Sequence, residues 1–205
     1  MRRGNMVADV NVAVVNRIER LRDPALSRHE DRVREVSALL CEGIGATREF
    51  TSALVSAAGL HDIGKVAIPD RILMKPGPLD AEERAVMAEH TRIGSEMLAG
   101  SNDRLLDLAA DVARHHHECF DGSGYPNGLR GEEIPLGARV VQVADVYDAL
   151  RSLRPYKIPM THRDAMNVIL RGDLRTVPEK FDPRLLAALQ RRDLDVARIY
   201  AAQRR

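Results

Sequence analysis

Residues 140–150 read Val140-Val141-Gln142-Val143-Ala144-Asp145-Val146-Tyr147-Asp148-Ala149-Leu150. Apolar side chains fall on almost every face of a helix drawn through them, and a helix that is hydrophobic all round belongs at the centre of a bundle. Asp145 lies between Val141 and Ala149 on that helix. A carboxylate left unpaired there would cost several kcal/mol of desolvation, so the central helix predicts a partner for it.

Working outward, the 3.6-residue period recurs. Val7, Val10, Val14, Ile18 and Leu21 follow it until Asp23-Pro24, an N-cap and first-turn pair that opens a second helix. That helix carries Val33, Val36 and Leu40 inward and ends near Gly43 and Gly45. A third segment, about Thr47 to Ile63, has Leu54, Ala57, Ala58 and His61 along one face, and Pro69, Pro76, Gly77 and Pro78 mark 66–79 as loop. Asp80-Ala81-Glu82-Glu83 resembles a capping box ahead of a stripe of Val86, His90, Ile93 and Met97. Leu105 to Glu118 is helical again, residues 121–137 form a long Gly/Pro-rich loop, and Thr161 and Asp182-Pro183 open two final helices. With no long strand and no repeat, the prediction is one all-α bundle over 24–205, preceded by an amphipathic helix over 1–23. The apolar stripe of that leading helix docks on its own domain or pairs in a homodimer.

Composition removes whole classes of function. Lys plus Arg is 31 against 30 for Asp plus Glu, a net charge of +1 that gives no surplus of cations for a nucleic acid polymer. Aromatics at 3% with no Trp argue against stacking on single strands. No apolar run approaches the roughly 20 residues that cross a bilayer, so no membrane is expected. Cys41 and Cys119 are too few for a disulfide framework, and a reducing cytoplasm is the expected compartment.

Several residues of metal-ligand type stand where core residues belong. His29 shares a face with Val33 and Val36, His61 follows Leu54 by two turns with Asp62 next, and His90 lies between Val86 and Ile93. His116 follows Val112 by four residues; periodicity does not choose between its neighbours His115 and His117. Any one of these histidines alone reads as a core residue bonded to a carbonyl. Together with Asp145 they read as a metal site, because facing helices of a bundle build such sites from His and carboxylate. Lys65 sits one turn after His61-Asp62, where a helix end favours a cation whether or not it meets a phosphate.

His61-Asp62-Ile63-Gly64-Lys65 followed by Asp121-Gly122-Ser123-Gly124-Tyr125-Pro126 resembles the HD-GYP branch of the HD phosphohydrolases. The resemblance runs from His29 to Pro183. It takes in Ile68-Pro69-Asp70, Lys75-Pro76-Gly77, His90-Thr91-Arg92-Ile93-Gly94, His116-His117-Glu118, Ile134-Pro135-Leu136, Ala144 to Leu150, Arg154-Pro155-Tyr156-Lys157 and Phe181-Asp182-Pro183.

The resemblance implies an HD-domain helical bundle that is a metal-dependent phosphodiesterase. Its substrate would be the bacterial second messenger cyclic di-GMP, cut through a metal-bridged hydroxide. It implies that His29, His61, Asp62 and Asp145 hold one of two divalent metals, with Asp62 bridging to a second held by His90, His116 and His117. The family's pair of histidines directly before Glu118 favours His117 over His115. Iron or manganese suits the mixed imidazole and carboxylate set. Lys65 would steady a non-bridging phosphate oxygen, Arg154 and Lys157 would hold phosphate, and Tyr125 would touch substrate. The loop around Tyr125 is also implicated in docking to diguanylate cyclases. Some members place a third-metal glutamate where Ala25 stands here, which implies two metals and linear pGpG, with GMP as the further product. Members usually carry a regulatory domain ahead of the catalytic part; with about 23 residues there, a fragment or control by a partner is expected. A silent cyclic-dinucleotide-binding or cyclase-docking module, and a phosphohydrolase for cyclic GMP-AMP, are the competing expectations.

Overall fold

The computed structural model describes residues 24–100, 102–152 and 158–202, and all of their regular elements are helical. The leading segment 1–23, with its expected amphipathic helix, lies outside the described residues, as do Arg154 and Lys157.

Helix α1, Pro24–Gly43, starts on the predicted proline. Helix α2, Arg48–Ala58, is capped by Thr47, whose hydroxyl accepts from the Phe50 amide at 3.2 Å. A 3-10 turn, Ile63–Ala67, and a one-turn helix α3, Asp70–Leu73, interrupt the stretch read as loop. Helix α4, Ala81–Leu98, opens on the expected box, with Asp80 and Glu83 each accepting the other's amide at 2.9 Å. Helix α5, Arg104–His115, is capped by Asp103. The central helix α6 runs over Leu136–Arg151, about a turn longer at its start than the apolar run suggests. After it come three helices rather than two: α7 His162–Arg171, α8 Pro183–Arg191 and α9 Asp193–Ala202.

Helix α6 is buried along nearly its whole length, from Gly137 to Leu150, against α1, α5, α7 and α8. The core around it gathers Val33, Val36, Leu40, Leu54, Val112, Val140, Val143, Ala144, Leu185 and Leu189. Cys41 joins them as a small core residue.

Two sequence expectations need correction here, on α4 and on α6. On α4 the inward stripe is His90, Thr91, Gly94 and Leu98, whereas Val86 and Met97 face solvent. The reason is close packing: the helix meets the 3-10 turn through Gly94 and Gly64, where larger side chains would not fit. His162 is half-buried: Tyr147 Oη lies 2.7 Å from its Nδ1 and Asp193 Oδ1 lies 2.9 Å from its Nε2. The deeper carboxylate of α6 is Asp148, while Asp145 is only half-buried.

Candidate metal centre

Two helix ends build the centre. The segment read as helix from Thr47 to Ile63 stops at Ala58, capped by Gly59, and Leu60 and His61 turn back on Ala57 and Ala58. Consecutive residues of a helix diverge by about 100°, so His61 and Asp62 could not both point inward from one. Leaving the helix lets them do so. Likewise α5 ends at His115 rather than continuing to Glu118, and the turn at His116 brings His116 and His117 to the same side. His115 stays apart, donating to the Asp111 carbonyl at 3.1 Å.

The side chains converge in two groups: His29, His61 and Asp145 in one, and Asp62, His90, His116 and His117 in the other, each with its ligand atoms within 4.8 Å of one another. Asp62 faces both. Its Oδ2 lies 3.4 Å from His61 Nε2 and 3.9 Å from His29 Nε2; its Oδ1 lies 3.4 Å from His90 Nε2 and 3.7 Å from His116 Nε2. Asp145 Oδ1 closes the first group at 3.6 Å from His29 Nε2.

The imidazoles present lone pairs to these groups. His61 donates Nδ1–H to the Ala58 carbonyl at 2.7 Å and His90 to Met87 at 2.6 Å, while His116 has the Val112 and Ala113 carbonyls at 3.1 Å. With Nδ1 committed, each Nε2 is the free acceptor. Two such atoms then stand 3.2 Å apart at His29 and His61, and 3.4 Å apart at His90 and His116. Asp62 Oδ1 is buried with no hydrogen-bond donor. Facing lone pairs and an orphaned carboxylate oxygen repel one another unless a cation lies between them, and this donor set fits divalent metal.

At His90 and His117 the charge agrees, whereas at His61 a metal would have to displace a proton. Burial lowers the His90 pKa to about 4 and, with the neighbouring His116 and His90, holds His117 well below its ordinary value. Both rings are therefore neutral near pH 7, the form in which an imidazole can bind a metal. His61 goes the other way: burial disfavours its charge, but the Asp62 carboxylate outweighs that and raises it to about 9. Burial also opposes the charge on Asp62, yet Lys65 and His61 keep it well below the usual carboxylate range. Lys65 Nζ sits 2.5 Å from Asp62 Oδ2, at the edge of the centre.

At the mouth, Tyr125 stacks on His117 with ring centroids 4.8 Å apart and planes 26° apart, and stays partly exposed. Its loop is tied down by Glu118, which is buried and accepts from the Asn127 and Leu129 amides at 2.7 and 3.0 Å. Sequence reasoning passed over Glu118 and Asp148. Asp148 follows Asp145 by one turn on the same apolar helix, so the argument from an unpaired carboxylate applied equally to it. Cys119 belongs to neither ligand group.

A family model described as HD domain matches residues 13–185 of the sequence. The chain belongs to the HD domain family. His61-Asp62 is the dipeptide at its centre, and Gly124-Tyr125-Pro126 puts it in the HD-GYP branch. The cyclic di-GMP phosphodiesterase response regulator RpfG of Xanthomonas campestris pv. campestris is 48% identical over 83% of this chain and 44% of its own length. The 3'3'-cGAMP-specific phosphodiesterase 2 of Vibrio cholerae is 43% identical over 74% of this chain and 29% of its own length. The chain thus spans less than half the length of either relative. Among solved structures, the HD domain of L. monocytogenes phosphodiesterase PgpH, in complex with cyclic-di-AMP, superposes with a TM-score of 0.60. That match covers 91% of this chain and 96% of the other at 15% identity, a likeness of fold alone.

Proposed function

We propose that this HD domain is a metal-dependent cyclic dinucleotide phosphodiesterase whose substrate is cyclic di-GMP. The observation that carries the reading is Asp62, with one carboxylate oxygen turned to each of two ligand groups. In this reading His29, His61, Asp145 and Asp62 hold one divalent ion, and Asp62, His90, His116 and His117 hold the other, iron or manganese in each case. When bound, such a pair supplies Lewis acidity toward phosphoryl oxygens and lowers the pKa of water.

The chain's own residues do the rest. Lys65 exchanges its contact with Asp62 for a non-bridging oxygen of the scissile phosphate and neutralises it there. Tyr125, stacked on His117 and open on its other side, receives the substrate at the mouth. Arg154 and Lys157 hold the second phosphate. With alanine at position 25, no carboxylate precedes His29 by one turn to help hold a third ion, and the product is linear pGpG rather than GMP. The catalytic unit is 24–205. Among the described residues no helix is long and apolar enough to cross a membrane. A reducing cytoplasm suits the two unpaired cysteines, and the Tyr125 loop is where a cyclase would dock.

Cyclic GMP-AMP is the second reading, favoured by the identity to a relative named for it. Anaerobically purified protein loaded with iron or manganese is incubated with each dinucleotide, and products are resolved by chromatography. Cyclic di-GMP turnover to pGpG, abolished in Asp62→Ala, is expected. Two bound ions with turnover of cyclic GMP-AMP alone moves the substrate assignment. No bound ion and no turnover overturns the metal reading.

A further inference from the structure

His61, His90 and His116 are oriented by carbonyls three or four residues back in their own segments. His29 is not. Its Nδ1–H donates to Asp148 Oδ2 at 2.8 Å, 119 residues away. The direction of its Nε2, and so its place in the first ligand group, depends on how Asp148 is held.

Asp148 is buried and takes five hydrogen bonds. Arg32 donates from Nε to Oδ1 at 2.5 Å and from Nη2 to Oδ2 at 3.1 Å, and Ser152 Oγ reaches Oδ2 at 2.9 Å. The fifth comes from Tyr200 Oη, 2.6 Å from Oδ1. Tyr200 belongs to α9, the last helix described. Its ring is fixed between Arg32 and Arg151, whose guanidinium carbons stand 5.4 and 5.0 Å from its centroid, and it meets Tyr147 edge-on at 5.3 Å. Burial opposes charge on Asp148, yet the bonds from His29 and Arg32 keep it ionised.

We infer that Tyr200 is a positioning residue of the metal centre: its hydroxyl locks the Asp148 carboxylate, and Asp148 locks the His29 ring. Helix α9 thereby supports the first ligand group and not the second, whose imidazoles His90 and His116 hang on local carbonyls. This rests on the metal reading proposed above. A carboxylate behind a ligand imidazole fixes its tautomer and raises its basicity, and loss of such a partner typically costs about ten- to a hundredfold in metal affinity. The hydroxyl acts one bond further out, so the lower end of that range applies.

The test is a manganese titration of the metal-free full chain by equilibrium dialysis, with His29→Ala identifying the class of site that needs His29. Tyr200→Phe keeps the ring and removes only the oxygen. The expected result is about a tenfold weaker His29-dependent class, with the other class unmoved. Asp182→Asn, which weakens the buried Arg139–Asp182 pair on the far side of α6, lowers thermal stability and moves neither class. Both classes unchanged in Tyr200→Phe overturns this inference and leaves the phosphodiesterase reading standing. Both weakened in step with a lower melting temperature also overturns it, since that is the signature of a structural role. Wild type without bound manganese overturns both readings. Asp148→Asn supplies the second variant: if it leaves the His29-dependent class intact, no relay from Tyr200 exists.

Discussion

A methyl group at position 64 should damage this protein out of proportion to its size. A Cβ built on Gly64 falls 2.0 Å from the His90 carbonyl oxygen and 2.5 Å from the Gly94 amide nitrogen, all backbone. Ordinary contact begins at 3.4 Å, so in Gly64→Ala the 3-10 turn and α4 have to part by more than an ångström. They part along the line that matters, because the turn carries Asp62 two residues earlier and the clash is with His90 itself. The 3.4 Å between Asp62 Oδ1 and His90 Nε2 opens with them. Forced overpacking of this kind costs about 3 kcal/mol, which for a chain of this size lowers the melting temperature by roughly 6–12 °C. A misplacement of about 1 Å in a catalytic constellation costs on the order of a hundredfold in rate. Calorimetry, metal analysis and turnover of cyclic di-GMP are measured beside Gly59→Ala. There the three atoms nearest the new Cβ all belong to the Arg34 guanidinium, the movable end of a long side chain. That control should stay within about 1 kcal/mol of wild type. If Gly64→Ala binds as much metal as wild type and turns over within a few-fold of it, the close crossing does not set the site and the reasoning fails.

Two further predictions concern buried carboxylates. Glu118→Gln weakens the bonds from the Asn127 and Leu129 amides, each a charge-assisted bond worth about 1.5–3 kcal/mol; KM should rise as Tyr125 loses its footing, while bound metal per chain is unchanged, and a KM equal to wild type would refute the role. For Asp182, burial favours the neutral acid, but the Arg184 side chain and amide and the Arg139 charge outweigh it and depress its pKa. Its contribution is therefore fully present above the usual carboxylate value of about 3.9 and lost as pH falls through the depressed one. Asp182→Asn should melt several degrees below wild type at pH 7, and the gap should close on acidification; a gap independent of pH would refute the assignment.

The bundle was legible because its signals are local. Asp80 and Glu83, Thr161, and Asp182 before Pro183 are caps, and caps act on their own helix, so each start fell where it was read. Ends were harder. His61, Asp62, His116 and His117 stand just past helix ends that periodicity ran through, since the pattern cannot register a turn that keeps apolar residues on both sides of it. The α4 stripe was misassigned for a related reason. Val86 and Met97 are apolar yet exposed, and the true inner face is marked by Gly94, whose value to packing is the absence of a side chain. The partners of Asp148 were invisible, because Arg32 and Tyr200 lie 116 and 52 residues from it.

These misreadings share a physical cause that also explains how the centre is assembled. Adjacent residues of a helix cannot both face one point, so a site needing His61 with Asp62, and His116 with His117, has to stand where α2 and α5 stop. Carbonyls at those ends also serve the ligands: Ala58 takes the Nδ1–H of His61, and Ala113 lies against that of His116. Helix termination therefore supplies both the direction of the ligand and the acceptor that sets its tautomer. His90 and His29 both lie inside helices, but where His90 uses the Met87 carbonyl of its own helix His29 is held by Asp148, so stability there is borrowed from α6 and α9. On this argument the two halves of the centre should fail differently under mild denaturant: the His29 half with the docking of α9, the His90 half only with the bundle itself.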